Sequence, residues 1–174
     1  NFMRESQRMC RIQSPIIPTI SEWIRKYPDT ISLGQGVAHY GPPPEVWESI
    51  RAFAHDGENH KYQPVQGIEP LLKEIQRKLH NENAIPLADE QRIVVTAGGN
   101  MAFINALLAI TDPGDQIILQ LPYYFNHEMA IGMTNCEAVC VPTDNRYQLR
   151  VEKIKAAITE RTRAIVTVSP NNPA

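Results

Sequence analysis

Three short stretches carry groups able to hold a flat, anionic ligand. Gly98 and Gly99 stand in "VVTAGGNMAFINALLAI", where a β-branched run from Val94 meets an uncharged segment of helical character. Glycine lets a ligand approach the backbone, and the free N–H groups that open a helix attract anions. Gly99 and Asn100 therefore offer a seat for a phosphate, with the Asn100 side chain as a further donor or as a helix cap. The stretch is no P-loop, because no Lys-Ser or Lys-Thr pair follows, and its glycine spacing is not the dinucleotide fingerprint. "LPYYFNHEM" supplies Tyr123 and Tyr124, whose rings can stack on a flat partner. "VSPNNPA" supplies Asn171 and Asn172, whose carboxamides both donate and accept. "KYQPVQG" places Tyr62 in a loop. Each feature also has an ordinary explanation: a tight turn without a ligand, an aromatic core pair, an Asn-Pro turn, a surface tyrosine.

Other chemistries find less support. His39, His55, His60, His80 and His127 show no metal-ligand spacing with one another or with the cysteines. Ser169 precedes a proline and lacks the Gly-x-Ser-x-Gly elbow. Glu69, Glu74 and Glu82 belong to a solvated helix face.

The elements that must position these groups follow from periodicity. Arg92–Thr96, Gln116–Gln120, Glu137–Val141 and Ala164–Val168 read as strands, with helices in the gaps, including 100–110 and 153–158. Alternating strands and helices imply a largely parallel sheet covered on both faces. Upstream, Ser14–Pro18 is broken by proline and Ile31–Gly36 reads as a short strand. "GPPPEVWESIRAF" opens a helix on proline, and Ile68, Leu71, Leu72, Ile75 and Leu79 form one apolar helical stripe.

The chain has 174 residues, 43% of them hydrophobic, and a net charge of -2 with acids and bases intermixed. That composition suits a globular core and offers neither a basic stripe for nucleic acid nor a polybasic end for a membrane. The longest uncharged segment, 94–111, contains Thr, Asn and Gly and reads as buried core, not a membrane span. Cys10, Cys136 and Cys140 lack paired spacing and are expected to be buried thiols in a reducing cytoplasm.

In sequence order, "ISLGQGVAHYGPPPEV", "KYQPVQGIEPLLKEI", "VVTAGGNMAFINALLAITDPGDQIILQLPYY" and "AIVTVSPNNP" resemble blocks of the class I/II aminotransferases, pyridoxal-phosphate-dependent enzymes of fold type I. The resemblance implies an α/β three-layer sandwich with a mainly parallel sheet, the incomplete large domain of that fold. Residues 1–45 would be an N-terminal arm and part of a smaller domain, and 46–174 the N-terminal part of the large cofactor-binding domain. By the same resemblance Gly99 and Asn100 match positions that cradle the phosphate of pyridoxal 5'-phosphate, and Tyr124 the aromatic residue stacked on its pyridine ring. Asn172 matches the asparagine bonded to the ring's 3'-oxygen, and Gly36 a backbone position near the substrate carboxylate. Tyr62 matches a tyrosine reaching the phosphate of a neighbouring subunit, which implies a homodimer with shared active sites. Peptide bonds before the prolines matching Pro122 and Pro173 are often cis in the family.

The implied reaction moves an amino group between an amino acid and a 2-oxo acid. The family's lysine, which anchors the cofactor and carries the proton, is matched by none of the six lysines and is expected beyond Ala174, so residues 1–174 alone should be inactive. Ala174 itself stands where the family usually has threonine. Cutting the sheet after Ala164–Val168 would bare apolar strand faces, so this length of chain alone is expected to aggregate or stay partly unfolded. A carbon-sulfur lyase of the same fold and a noncatalytic dimerising or regulatory product are the alternatives.

Overall fold

The computed structural model describes residues 4–13, 16–33, 36 and 38–173, apart from the side chain of Arg11. They fall into two compact units, Asn1–Ser14 with Thr96–Ala174, and Pro15–Val95.

The first unit is built on three parallel strands, β1 (Gln116–Leu121), β2 (Glu137–Pro142) and β3 (Thr162–Val166), in the order β2-β1-β3. Central β1 is buried along its whole length up to Leu121, as a strand covered on both faces must be. Its alternating side chains feed two cores. Ile117 and Leu119 pack with Leu107, Ala130 and Ile131, while Ile118 packs with Val141 and Ile154. The first set comes from the helices Gly99–Ile110 and Phe125–Met133, and Ile154 comes from the helix Val151–Ala157 on the opposite face. The expected three-layer α/β arrangement is therefore present. The short 3-10 turn Met9–Arg11 belongs to the same unit, and Arg8 donates to the Met133 carbonyl at 3.5 Å.

The second unit carries the helices α1 (Ile16–Lys26), α2 (Pro44–His55) and α3 (Glu69–Asn81), so the helices of the first unit are α4 (Gly99–Ile110), α5 (Phe125–Met133) and α6 (Val151–Ala157). Proline in the first turn of α2 and of α3 starts each helix, as its missing N–H costs nothing there. Gly67, just before α3, has φ +124°, and a Cβ there would stand 2.9 Å from Val95 Cγ2. This close approach accompanies the bond from Val95 N–H to the Gln66 carbonyl, 2.8 Å.

Several expectations need correction. Arg92–Thr96 is not a strand: Val95 donates to a loop carbonyl, and no ladder among the described residues includes the run. A β-branched run makes a strand only where a neighbouring backbone accepts it. Ile31–Leu33 and Gly36 carry no regular element either, and positions 34 and 35 lie outside the described residues. β3 begins and ends two residues before the expected Ala164–Val168, because its last partner is Leu119 and β1 soon reaches Pro122, which has no N–H to pair. The helix 16–26 forms across the proline-broken start. Cys10 and Cys140 are exposed and Cys136 half-buried, not a buried set. Among the described residues no helix is long and apolar enough to cross a membrane.

The N-terminal edge of the sheet is tied by polar side chains. Asp115 Oδ2 accepts from Asp112 N–H at 2.9 Å and from Arg163 Nε at 3.1 Å, and Gln116 links Glu137 (3.0 Å) to Thr159 (2.7 Å). The Asp112 N–H first, then Arg163 and Arg161, hold the Asp115 carboxyl below its ordinary value of 3.8. A depressed carboxylate contributes stability that is present above the ordinary value and lost as pH falls through the folded one. Asp115→Asn in the full-length protein should therefore blunt the loss of denaturant resistance below that value. An unchanged acid limb in the denaturant midpoints would show that Asp115 contributes nothing to it.

Candidate functional site

The C-terminal ends of parallel strands leave their loops on one rim, where ligands of such sheets bind. Gly98, the residue just before α4, has φ +84° and ψ 165°, a conformation reserved for glycine. Its N–H bonds the Thr96 carbonyl at 2.8 Å, and the Thr96 hydroxyl donates to the Gly98 carbonyl at 2.9 Å. These bonds close the turn, and the Gly98 carbonyl takes the Ala102 N–H at 3.3 Å. The N–H groups of Gly99, Asn100 and Met101 precede the first intrahelical donor, so helix geometry gives them no acceptor within α4. A Cβ built on Gly98 or Gly99 meets nothing within 4 Å, leaving open space beside the positive helix end. Asn100 is not a cap: Gly98 holds that position and no side chain caps it.

β1 runs into Leu121-Pro122, joined by a cis peptide, as is Asn172-Pro173; the bond from Ser169 to Pro170 is cis as well. Tyr123 and Tyr124 then part company. Tyr123 packs against the core formed by Ile117, Leu119 and their neighbours, where burial first, then Glu128 and Cys140, push its phenol pKa up. Tyr124 precedes α5, its hydroxyl accepting from Asn126 Nδ2 at 2.7 Å. In the first turn of α5, His127 stands edge-on to Tyr124 at 5.4 Å between ring centroids and tilts over Phe103 at 4.2 Å. Burial lowers the His127 pKa, which favours the neutral imidazole.

Gly99, Asn100, Tyr124 and Asn172 line one cavity of ≈ 470 Å³, together with His127 and Val168. A second cavity of ≈ 580 Å³ shares Tyr124, His127 and Val168 with it and extends toward Arg146, Tyr147 and Asn171. Four groups singled out from separate stretches of sequence thus share a hollow. Sequence reasoning gave His127 no place there, although it stands three residues after Tyr124, in the first turn of α5, with its N–H on the Tyr124 carbonyl at 2.9 Å. Val168, expected at the end of a strand, lies past the end of β3. Gly36 and Tyr62 belong to the other unit. Both are exposed, Tyr62 fully so, and a Cβ on Gly36 would meet nothing within 4 Å.

The site can seat an anion at the start of α4 and offer the Tyr124 ring to a planar partner, with the Asn172 carboxamide in the same lining. All six lysines are exposed, and Lys61, Lys73, Lys78 and Lys155 pair with glutamates at 2.6 to 3.4 Å. Among the described residues no group of three potential metal ligands occurs.

Comparison with known proteins identifies the family. The family model for "Aminotransferase class I and II" matches residues 28–174. A probable aspartate/prephenate aminotransferase of Thermus aquaticus is 35% identical over 151 residues, 86% of this chain and 39% of that protein. An aromatic aminotransferase of Arabidopsis thaliana is 29% identical over 99% of this chain and 44% of its own length. The crystal structure of the aspartate aminotransferase from Rhizobium meliloti superposes with a TM-score of 0.88 at 29% identity, covering 99% of this chain and 44% of that one. The chain spans less than half the length of these relatives, and the match runs through the sheet, the α4 turn and the loops that line the cavity. By both sequence and fold, this chain belongs to the class I and II aminotransferases.

Proposed function

We propose that the protein is a pyridoxal-phosphate-dependent aminotransferase, acting on an amino acid and a 2-oxo acid. The observation that carries this reading is the single cavity lined by Gly99, Asn100, Tyr124 and Asn172. When bound, pyridoxal phosphate supplies an aldehyde that captures the amine and a ring that draws electrons from the substrate's α-carbon. The chain's own groups suit that guest. Backbone N–H groups of Gly99 and Asn100 face a dianionic phosphate at the positive end of α4, in space that no Cβ occupies. The Tyr124 ring gives one wall for the pyridine plane, and the Asn172 amide donates to its 3'-oxygen, holding the protonation there. The neutral His127 ring, edge-on to Tyr124, buttresses that wall.

No lysine lines the cavity among the described residues, so the lysine that anchors the cofactor and moves the α-proton is assigned outside residues 1–174. Gly36 is assigned to the substrate carboxylate and Tyr62 to the phosphate of a second subunit, in a homodimer with shared active sites and a cytoplasmic setting. In the whole enzyme, residues 1–45 serve as arm and part of the small domain, and 46–174 as the start of the large one.

The test uses the full-length protein, loaded with pyridoxal phosphate and offered amino acid and 2-oxo acid pairs. A new amino acid and a new 2-oxo acid should appear in equal amounts. Release of thiol and ammonia instead would assign it to a lyase, and failure to retain the cofactor would overturn the site.

A further inference from the structure

Building on the cofactor reading above, we propose that Asn171 is a positioning residue that sets the span between the Tyr124 ring and the Asn172 carboxamide. The reason lies in how β1 ends. The β1–β3 ladder stops at the pair Leu119 and Val166. Beyond it no ladder joins the two segments, one leading to Tyr124 and the other to Asn172. The β3 ladder has ended before Leu121 and Pro122, so their carbonyls need donors other than the β3 backbone.

Two side chains supply them. The Thr143 hydroxyl, at the end of β2, donates to the Leu121 carbonyl at 2.7 Å, supported by the Thr143 N–H at 3.4 Å. Asn171 Nδ2 donates to the Pro122 carbonyl at 3.0 Å, across 49 residues of sequence. Past the last ladder pair, that is the hydrogen bond joining the two loops among the described residues. Its acceptor lies two residues before Tyr124, and its donor is the immediate neighbour of Asn172. Asn171 is half-buried while Asn172 is exposed at the cavity, so the pair divides its work: one amide holds the loop and the next faces the guest. The α4 turn, which seats the phosphate, is not part of this clamp. Loss of the clamp should therefore loosen the grip on the ring and leave the grip on the phosphate intact.

Asn171→Asp keeps the side chain's shape, removes the donor and sets a carboxylate against a carbonyl. In the full-length protein it should bind pyridoxal 5'-phosphate about tenfold more weakly, the scale of one lost hydrogen bond in a half-buried site. At saturation the visible circular dichroism of the bound cofactor should fall, because the ring is no longer held at one fixed angle. Affinity for inorganic phosphate should stay within about twofold of the wild type, since the α4 turn is untouched. A purely structural role would lower the melting temperature and weaken both ligands together. Unchanged cofactor affinity and dichroism, or a parallel loss of phosphate binding, would overturn the proposal. If Asn171→Asp does not fold, Asn171→Ala removes the donor without adding charge and is read by the same outcomes. Wild-type protein that binds no pyridoxal phosphate would remove the functional reading beneath it; wild-type binding with an unaffected variant would remove this inference alone.

Discussion

Gly98→Ala should cost about 1–3 kcal/mol of stability and strip the site of its cofactor, because φ +84° with ψ 165° is backbone that an L side chain avoids. The cost is conformational, not steric: the added Cβ would meet nothing within 4 Å. To relax, the turn must rotate, which breaks the bonds between Thr96 and Gly98 and swings the N–H groups of Gly99 and Asn100 off the cavity. Gly99→Ala is the control that separates the two effects. Gly99 opens α4 without a positive φ, so alanine there should leave stability equal or raised by up to about 1 kcal/mol. Its methyl group nevertheless enters the lining of the cavity. Thermal melts and cofactor content measured on both full-length variants decide the matter, and a Gly98→Ala protein as stable and as yellow as the wild type would show that the turn bears no such constraint.

A second large effect is expected at the centre of the sheet. Ile117 has no exposed surface and stands in register between Ala138 on β2 and Ala164 on β3. Its neighbours across the sheet are thus small, and the branched side chain fills the space beneath Leu107 and Ile131. Ile117→Ala should leave a void that the two flanking alanines cannot fill, at about 2–5 kcal/mol. Against a typical domain stability of about 5–15 kcal/mol, that is enough to deplete folded protein. Ile165→Ala, on a residue 44% exposed, should cost well under half as much. Equal denaturant midpoints for the two variants would refute the account of the core.

The cavity was legible in the sequence because its parts sit where strands turn into loops or helices, and glycine, tyrosine and asparagine announce such places. Gln116–Gln120 could be read as a buried strand from its run of isoleucine and leucine, and Glu137–Val141 from β-branched residues. Arg92–Thr96 has the same texture, yet pairing is a property of two backbones, and one run cannot reveal whether the other is at hand. β3 stands two residues before Ala164–Val168 for a related reason: its end is decided by where β1, another stretch of chain, stops offering it a partner. His127 could be weighed from sequence only as a metal ligand, because histidine alone signals little and only the start of α5 sets it beside Tyr124. The Asn171 clamp was also out of reach, since nothing local links residue 171 to the carbonyl of residue 122.

The two ends of this sheet are finished differently. At one end Asp115, Gln116, Glu137, Thr159, Arg161 and Arg163 knot the strands together through side chains. At the other, β1 and β2 stop at prolines and the loops are held by a few threonine and asparagine contacts. The first end behaves as a sewn hem and the second as an open mouth. Evolution can therefore retailor the mouth for new guests while the hem keeps the cloth from unravelling, and a chain built this way can change its chemistry faster than its shape.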